Sequence, residues 1–209
     1  MPAQTLLRAT QLACERGDRL LFSDLSFQVG AGELLQVTGP NGSGKTSLLR
    51  ILCGLLLPDR GTVYWTGDRI GDQQDEYLRQ VHYSGHLYGI KLELTPRENL
   101  RFARALHGGG AGLDIDTVLE RVELYGFEDE PAATLSAGQR RRIGLAGLLV
   151  SCGRLWVLDE PFTTLDVSGS AILEQLIEEH LSNGGCVVMA SHSSHNLNPA
   201  RLRTLALSA

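Results

Sequence analysis

Gly39-Pro40-Asn41-Gly42-Ser43-Gly44-Lys45-Thr46 decides the fold. It fits G-x-x-x-x-G-K-[ST], the phosphate-binding P-loop pattern. Glycines let the backbone curl so that successive N–H groups converge on phosphate oxygens. Lys45 sets a compact positive charge against the β- and γ-phosphates, and the Thr46 hydroxyl is the expected Mg²⁺ ligand. The expected nucleotide-contacting run extends from Gly39 through Ser47. Its flanks agree: Leu34–Thr38 reads as a buried strand. Thr46–Cys53 reads as an apolar-rich helix whose positive N-terminus points at the anion. An ordinary Gly/Ser turn would leave the fixed spacing unexplained. The motif says that a nucleoside triphosphate binds and not what its energy does.

Before the loop, Leu25, Phe27 and Val29 alternate with Ser26 and Gln28, a half-buried β pattern, and the residues ahead of them read as short strands. Gly30-Ala31-Gly32 is a tight turn. After the loop, Gly54 reads as a helix cap, Pro58–Gly61 as a turn and Thr62–Trp65 as a strand. From about Tyr77 to Leu135 the texture changes to helical pieces with loops. Thr95 and Glu98 there form a capping box around a helix start at Pro96, and Asp116–Leu124 is a second short helix. From Ser136 the chain alternates: helix to Val150, strand Leu155–Leu158, helix Gly169–Leu181, strand Cys186–Ala190, and a closing strand within Arg201–Leu207. That alternation predicts an α/β fold with a parallel sheet.

Leu155-Trp156-Val157-Leu158-Asp159-Glu160 is an apolar strand ending in two carboxylates. Alone this is a solvated pair at a strand end. After a P-loop, Asp159 is expected to hold Mg²⁺ through water, and Glu160 to polarise the attacking water. Leu135-Ser136-Ala137-Gly138-Gln139 precedes a helix. Ser136 is a natural N-cap, and the small residues leave the first N–H groups open for an anion.

The 209 residues suffice for one compact domain. A net charge of -5 offers no general basic excess for nucleic acid. Cys14, Cys53, Cys152 and Cys186 form no C-x-x-C pair, sit among apolar residues and read as reduced core thiols. Residues 1–20 lack the unbroken apolar run of a signal peptide, and no stretch of about 18 uncharged apolar residues exists. The run Arg140-Arg141-Arg142 reads as a solvated face or as a surface for acidic partners or lipid head groups.

Taken in order, the P-loop, Leu135–Gln139, the Asp159-Glu160 strand, Leu165-Asp166 and a late His192 resemble the ATP-binding cassette (ABC) family, over the whole chain. The resemblance implies a P-loop NTPase (RecA-like) parallel-sheet core with an N-terminal antiparallel β subdomain and a small helical subdomain. It implies one domain over 1–209, with core and β subdomain in 1–80 plus 136–209 and the helical subdomain with its flanking loops in 81–135. It also implies ATP and Mg²⁺ as cofactors and a head-to-tail dimer with a second copy. Ser136, Gly138 and Gln139 would reach the nucleotide on the opposite P-loop. Asp166 would link the two sites, and His192 would contact the γ-phosphate beside Glu160.

Three positions depart from the family pattern. No aromatic stands near Cys14-Glu15-Arg16-Gly17 to stack on adenine, so Arg16 is the expected substitute and ATP–GTP discrimination is expected to be weak. His86 stands where a Mg²⁺-binding Gln is usual; imidazole is a poor Mg²⁺ ligand. His86 either bonds a water, reports the state of a partner, or is a loop histidine without a role. Ala137 replaces a Gly, which a helix start accepts. His195 has no motif around it and is expected to face solvent.

Cys14-Glu15-Arg16 with Leu21-Phe22-Ser23, Gly85–Lys91, Glu98-Asn99-Leu100 and Arg141-Arg142 after the signature resemble one ABC sub-family, the heme-exporter ATPases of cytochrome c maturation. This implies an ATPase bound peripherally to the cytoplasmic face of a bacterial inner membrane. It would dock on an integral-membrane permease and energise a step of heme delivery. Whether heme or a heme-loaded chaperone is moved stays open. No C-x-x-C-H exists and no direct heme ligation is expected; nor is a nucleic-acid partner. The alternatives are the ATPase of another small exporter (of lipid or drug) or a soluble ABC ATPase.

Overall fold

The structure is a computed structural model that describes residues 4–85, 89–107, 109, 113–163, 165–192 and 195–208. The chain opens with a long hairpin, β1 (Thr5–Arg16) and β2 (Arg19–Gly30), turning at Gly17 with φ +58°. This is longer than the short strands expected from sequence. Register shifts along β1 break its polar–apolar alternation and hid it. Next come β3 (Leu34–Thr38) and α1 (Lys45–Leu52), then a second hairpin of β4 (Arg60–Trp65) and β5 (Asp68–Arg69). These are followed by α2 (Gln74–Gln80), β6 (Val81–Ser84), α3 (Pro96–Leu106) and α4 (Ile115–Arg121). Last are α5 (Ala137–Val150), β7 (Leu155–Asp159), α6 (Val167–Ser182), β8 (Cys186–Ala190) and β9 (Leu202–Ala206).

Two sheets result. One is antiparallel in the order β2-β1-β4-β5; the other is parallel in the order β6-β7-β8-β3-β9. β6 pairs with β7, so the parallel sheet takes Val81–Ser84 from the range expected to be helical. Strand side chains alternate between two cores. Leu35, Val37, Val157 and Val188 face the antiparallel sheet and α1; Leu34, Trp156, Leu158, Val187 and Met189 face α4, α5 and α6. Sheet burial on both faces makes Leu155–Leu158 of β7 and all of β8 continuous apolar runs.

Helix ends follow their capping chemistry. Thr95 and Ser136 each accept a backbone N–H of the third helical residue, and Glu98 and Gln139 reach back to the cap N–H groups. Asp166 Oδ1 accepts from Gly169 N–H at 2.7 Å at the start of α6. Cys14, Cys53 and Cys186 are buried, and burial raises all three thiols, Cys186 to about 12. Cys152 is exposed, against the expectation that all four are core thiols; the chain there has left α5 for a loop.

Candidate functional site

Three parallel strands end side by side. Val37, Ala190 and Asp159 are register partners at the C-terminal edge of β3, β8 and β7. Each strand hands the chain to a loop there, which is where open α/β sheets bind ligands. β3 leads into the P-loop, β7 into Glu160, and β8 into Ser191 and His192. A cleft of about 680 Å³ opens at this edge. Asn41, Gly42, Gly44, Lys45, Thr46, Ser47, Asp159, Glu160, Thr163 and His192 line it, with Arg16 and Leu21 at its other wall.

The loop has the shape its glycines permit. Gly39, Gly42 and Gly44 lie at φ +143°, +79° and +98°. Gly39 is also sterically required, since a Cβ there would stand 2.5 Å from the Leu207 carbonyl oxygen. Lys45 Nζ donates to the carbonyls of Gly39 at 2.8 Å and Pro40 at 3.3 Å, so the ammonium is held inside the curl. Ser43 Oγ is enclosed with no hydrogen-bond partner among the described residues.

Thr46 Oγ1 donates to Asp159 Oδ2 at 2.8 Å, and Asp159 is 4% exposed. A hydroxyl beside a buried carboxylate is a hard oxygen pair that suits Mg²⁺. The orphaned Ser43 Oγ and the open loop amides suit phosphate oxygens, so these residues fit the implied nucleotide and cation. Next to them, His192 Nε2 lies 3.4 Å from Glu160 Oε1. Glu160 sits at φ +51° while its N–H donates to Ala190 O at 3.0 Å. A non-glycine residue in the left-handed region is uncommon and strained. Here it extends the β7–β8 pairing by one bond while the chain turns at the cleft.

Ser136, Gly138 and Gln139 do not line this cleft. Ser136, Ala137 and Gly138 are exposed at the free N-terminus of α5. Asp166 also stands apart, 3.6 Å from Arg142 Nη2. His86 falls outside the described residues. Arg16 does line the cleft, and its Nη1 donates to the Glu15 carbonyl at 3.0 Å.

Two expectations are corrected. His195 does not simply face solvent: its ring stacks on Phe162 with centroids 3.6 Å apart, and its Nε2 bonds Ser191 Oγ at 2.8 Å. It thereby braces the residue just before His192, and burial lowers its pKa. The run 140–142 is half-buried, not a solvated face. Arg140 donates to Leu135 O at 2.9 Å, Arg141 to Pro161 O at 3.3 Å, and Arg142 pairs with Glu123. No local sequence signal marks the Arg141 and Arg142 contacts, because Pro161 and Glu123 lie 20 and 19 residues away in the chain.

The family model for ABC transporters matches residues 22–163. The cytochrome c biogenesis ATP-binding export protein CcmA of Nitrosococcus oceani is 50% identical over 207 residues, spanning 99% of this chain and 94% of its own length. A solved ATP-binding subunit of an ABC transporter superposes with a TM-score of 0.80 at 26% identity, over 90% of this chain and 80% of that one. A dimeric bacterial ABC transporter cassette gives 0.82 at 21% identity, over 97% and 94%.

Proposed function

The chain belongs to the CcmA family of ABC transporter ATP-binding subunits, and on that premise we propose how its cleft works. The protein is the ATP-binding subunit of the cytochrome c biogenesis export system, an ATPase. The observation that carries the mechanism is the contact of His192 with Glu160, 3.4 Å, in the cleft that Lys45, Thr46 and Asp159 share.

Lys45 and the loop amides bind the phosphates of ATP. Thr46 and Asp159 would hold Mg²⁺, whose charge, when bound, offsets that of the phosphate oxygens. Glu160 takes the proton of the attacking water as general base. His192 donates toward the γ-phosphate and fixes the Glu160 carboxylate. The same chain's cleft has no signature residue in its wall, which supports a site completed by Ser136, Gly138 and Gln139 of a second copy. Head-to-tail pairing of two copies answers that need.

The membrane partner is an integral permease of the same system, and the work done is a step of heme delivery to c-type cytochromes. No helix among the described residues is long and apolar enough to cross a membrane, so attachment through that partner, on the cytoplasmic face, fits the chain. Deleting the gene should abolish c-type cytochromes, and the tagged protein should co-purify with a small polytopic membrane protein. Intact c-type cytochromes with a lost lipid or drug export activity would instead favour another exporter's ATPase. Glu160→Gln should bind ATP and hydrolyse it at least about 100-fold more slowly; a wild-type rate would remove Glu160 from the role of base.

A further inference from the structure

Outside the cleft, three segments meet at one guanidinium. Arg142, in α5, has a side chain only 12% exposed. It donates to Val122 O at 3.4 Å, pairs with the Glu123 carboxylate and lies 3.6 Å from Asp166 Oδ2. Ser168 Oγ closes the ring by hydrogen bonding to both oxygens of Glu123, at 3.1 and 3.0 Å. Glu123 follows α4, Arg142 belongs to the helix that starts at Ser136, and Asp166 and Ser168 open α6.

Two further observations make this more than a surface ion pair. Glu123 sits at φ +56°, a left-handed conformation uncommon for a residue with a Cβ. Backbone and side chain are therefore both fixed at this turn. The Arg142 guanidinium, then the Ser168 hydroxyl, hold the Glu123 carboxyl below the usual carboxylate range. None of Glu123, Arg142 or Ser168 lines the nucleotide cleft, so none acts on the phosphates directly. The side chains of Glu123 and Asp166 are 56% and 65% exposed, and ion pairs with such solvated carboxylates add little to global stability. What the ring does fix is geometry: it ties the first turn of α6 to the signature helix.

We propose that Glu123, Arg142 and Ser168 are positioning residues that clasp Asp166 to the signature helix. The two segments that reach toward the second copy then present one fixed register. The proposal rests on the composite site described above. Loss of the clasp leaves nucleotide binding at the P-loop intact and weakens pairing of the copies.

The test uses the full chain carrying Glu160→Gln, titrated by sedimentation with saturating ATP and Mg²⁺. Adding Glu123→Ala should raise the protein concentration for half-dimerisation about fivefold. Ser168→Ala should raise it about twofold, and Glu123→Gln, which keeps an acceptor oxygen for both partners, should return it to within about twofold of the parent. Affinity of the monomer for ATP should stay within about twofold, and Tm within about 3 °C, a pattern that a merely structural role would not produce. If Glu160→Gln dimerises and Glu123→Ala leaves its midpoint unchanged, the clasp is wrong and the composite site stands. If Glu160→Gln stays monomeric with ATP, both fall. Should Glu123→Ala fold poorly, Ser168→Ala carries the same test, and an unchanged midpoint there overturns the proposal.

Discussion

Thr46 Oγ1 and Asp159 Oδ2 lie 2.8 Å apart, although 113 positions separate them in the chain. The bond joins the first turn of α1 to the end of β7 and brings two hard oxygen donors together at the floor of the cleft. Asp159→Asn keeps the shape and removes the charge. It should raise the Mg²⁺ concentration for half-maximal ATPase activity about 10–100-fold. A magnesium titration with an unchanged midpoint would count against the pair as the cation site.

Two glycines separate folding from pairing. At Gly39 a Cβ would meet the Leu207 carbonyl oxygen at 2.5 Å and Ser43 Oγ at 2.8 Å. Gly39→Ala should cost roughly 2 kcal/mol and lower Tm by about 4–8 °C. At Gly138 the nearest atom is Ser136 Oγ, 4.0 Å away, and the residue lies inside α5. Gly138→Ala should therefore hold or raise Tm, since Ala is favoured in a helix by roughly 0.5–1 kcal/mol. Its ATPase activity should nonetheless fall at least about tenfold, because the added methyl meets only the second copy. Full activity would mean that nothing approaches Gly138.

Acid should loosen the protein through its enclosed histidines. His82 stacks on His107 with centroids 5.2 Å apart, and its Nδ1 is enclosed without a partner among the described residues, although part of the residue reaches the surface. Burial, then the neighbouring His107 and His180, lowers its pKa to about 3. His180, stacked on Trp156 at 4.0 Å, is lowered to about 4, again mainly by burial. Between pH 6.5 and those values the unfolded chain binds protons that the folded chain does not, so stability rises with pH. It is fully present above about pH 6.5 and declines below, by up to about 1.4 kcal/mol per pH unit for each histidine. Urea midpoints from pH 7.5 to 5 should show that slope, and His82→Phe should flatten it. A slope unchanged in His82→Phe would acquit His82.

Arg16 and Leu21 are the side chains at the far wall of the cleft, with no Phe, Tyr or Trp among its described lining residues. A guanidinium stacks on either purine. ATP and GTP should compete within about tenfold, or roughly 1.4 kcal/mol. A preference of about a hundredfold or more for ATP would require a base contact other than Arg16.

The legible parts of the fold were those set by local chemistry. β7 and β8 read as apolar runs because a two-sided parallel sheet needs them, and the capping boxes at Thr95 and Ser136 mark helix starts by spacing alone. The P-loop, Asp159, Glu160 and His192 were legible as motifs, and the register of β3, β7 and β8 gathers them. β6 was not legible, since Val81-His82-Tyr83-Ser84 becomes a strand only by pairing with β7. Nor were the His195–Phe162 stack and the Arg142–Glu123 pair, whose partners meet only in the folded chain.

The central claim is that one chain's P-loop works with the other chain's signature. Mixing Lys45→Ala with Ser136→Arg tests it most directly. In a head-to-tail pair of these two variants, one of the two sites keeps both an intact loop and an intact signature. Each variant alone should be inactive, and an equimolar mixture should recover up to about a quarter of wild-type ATPase activity, the share expected for half the dimers carrying one working site each. A mixture no more active than the sum of its parts would contradict the account.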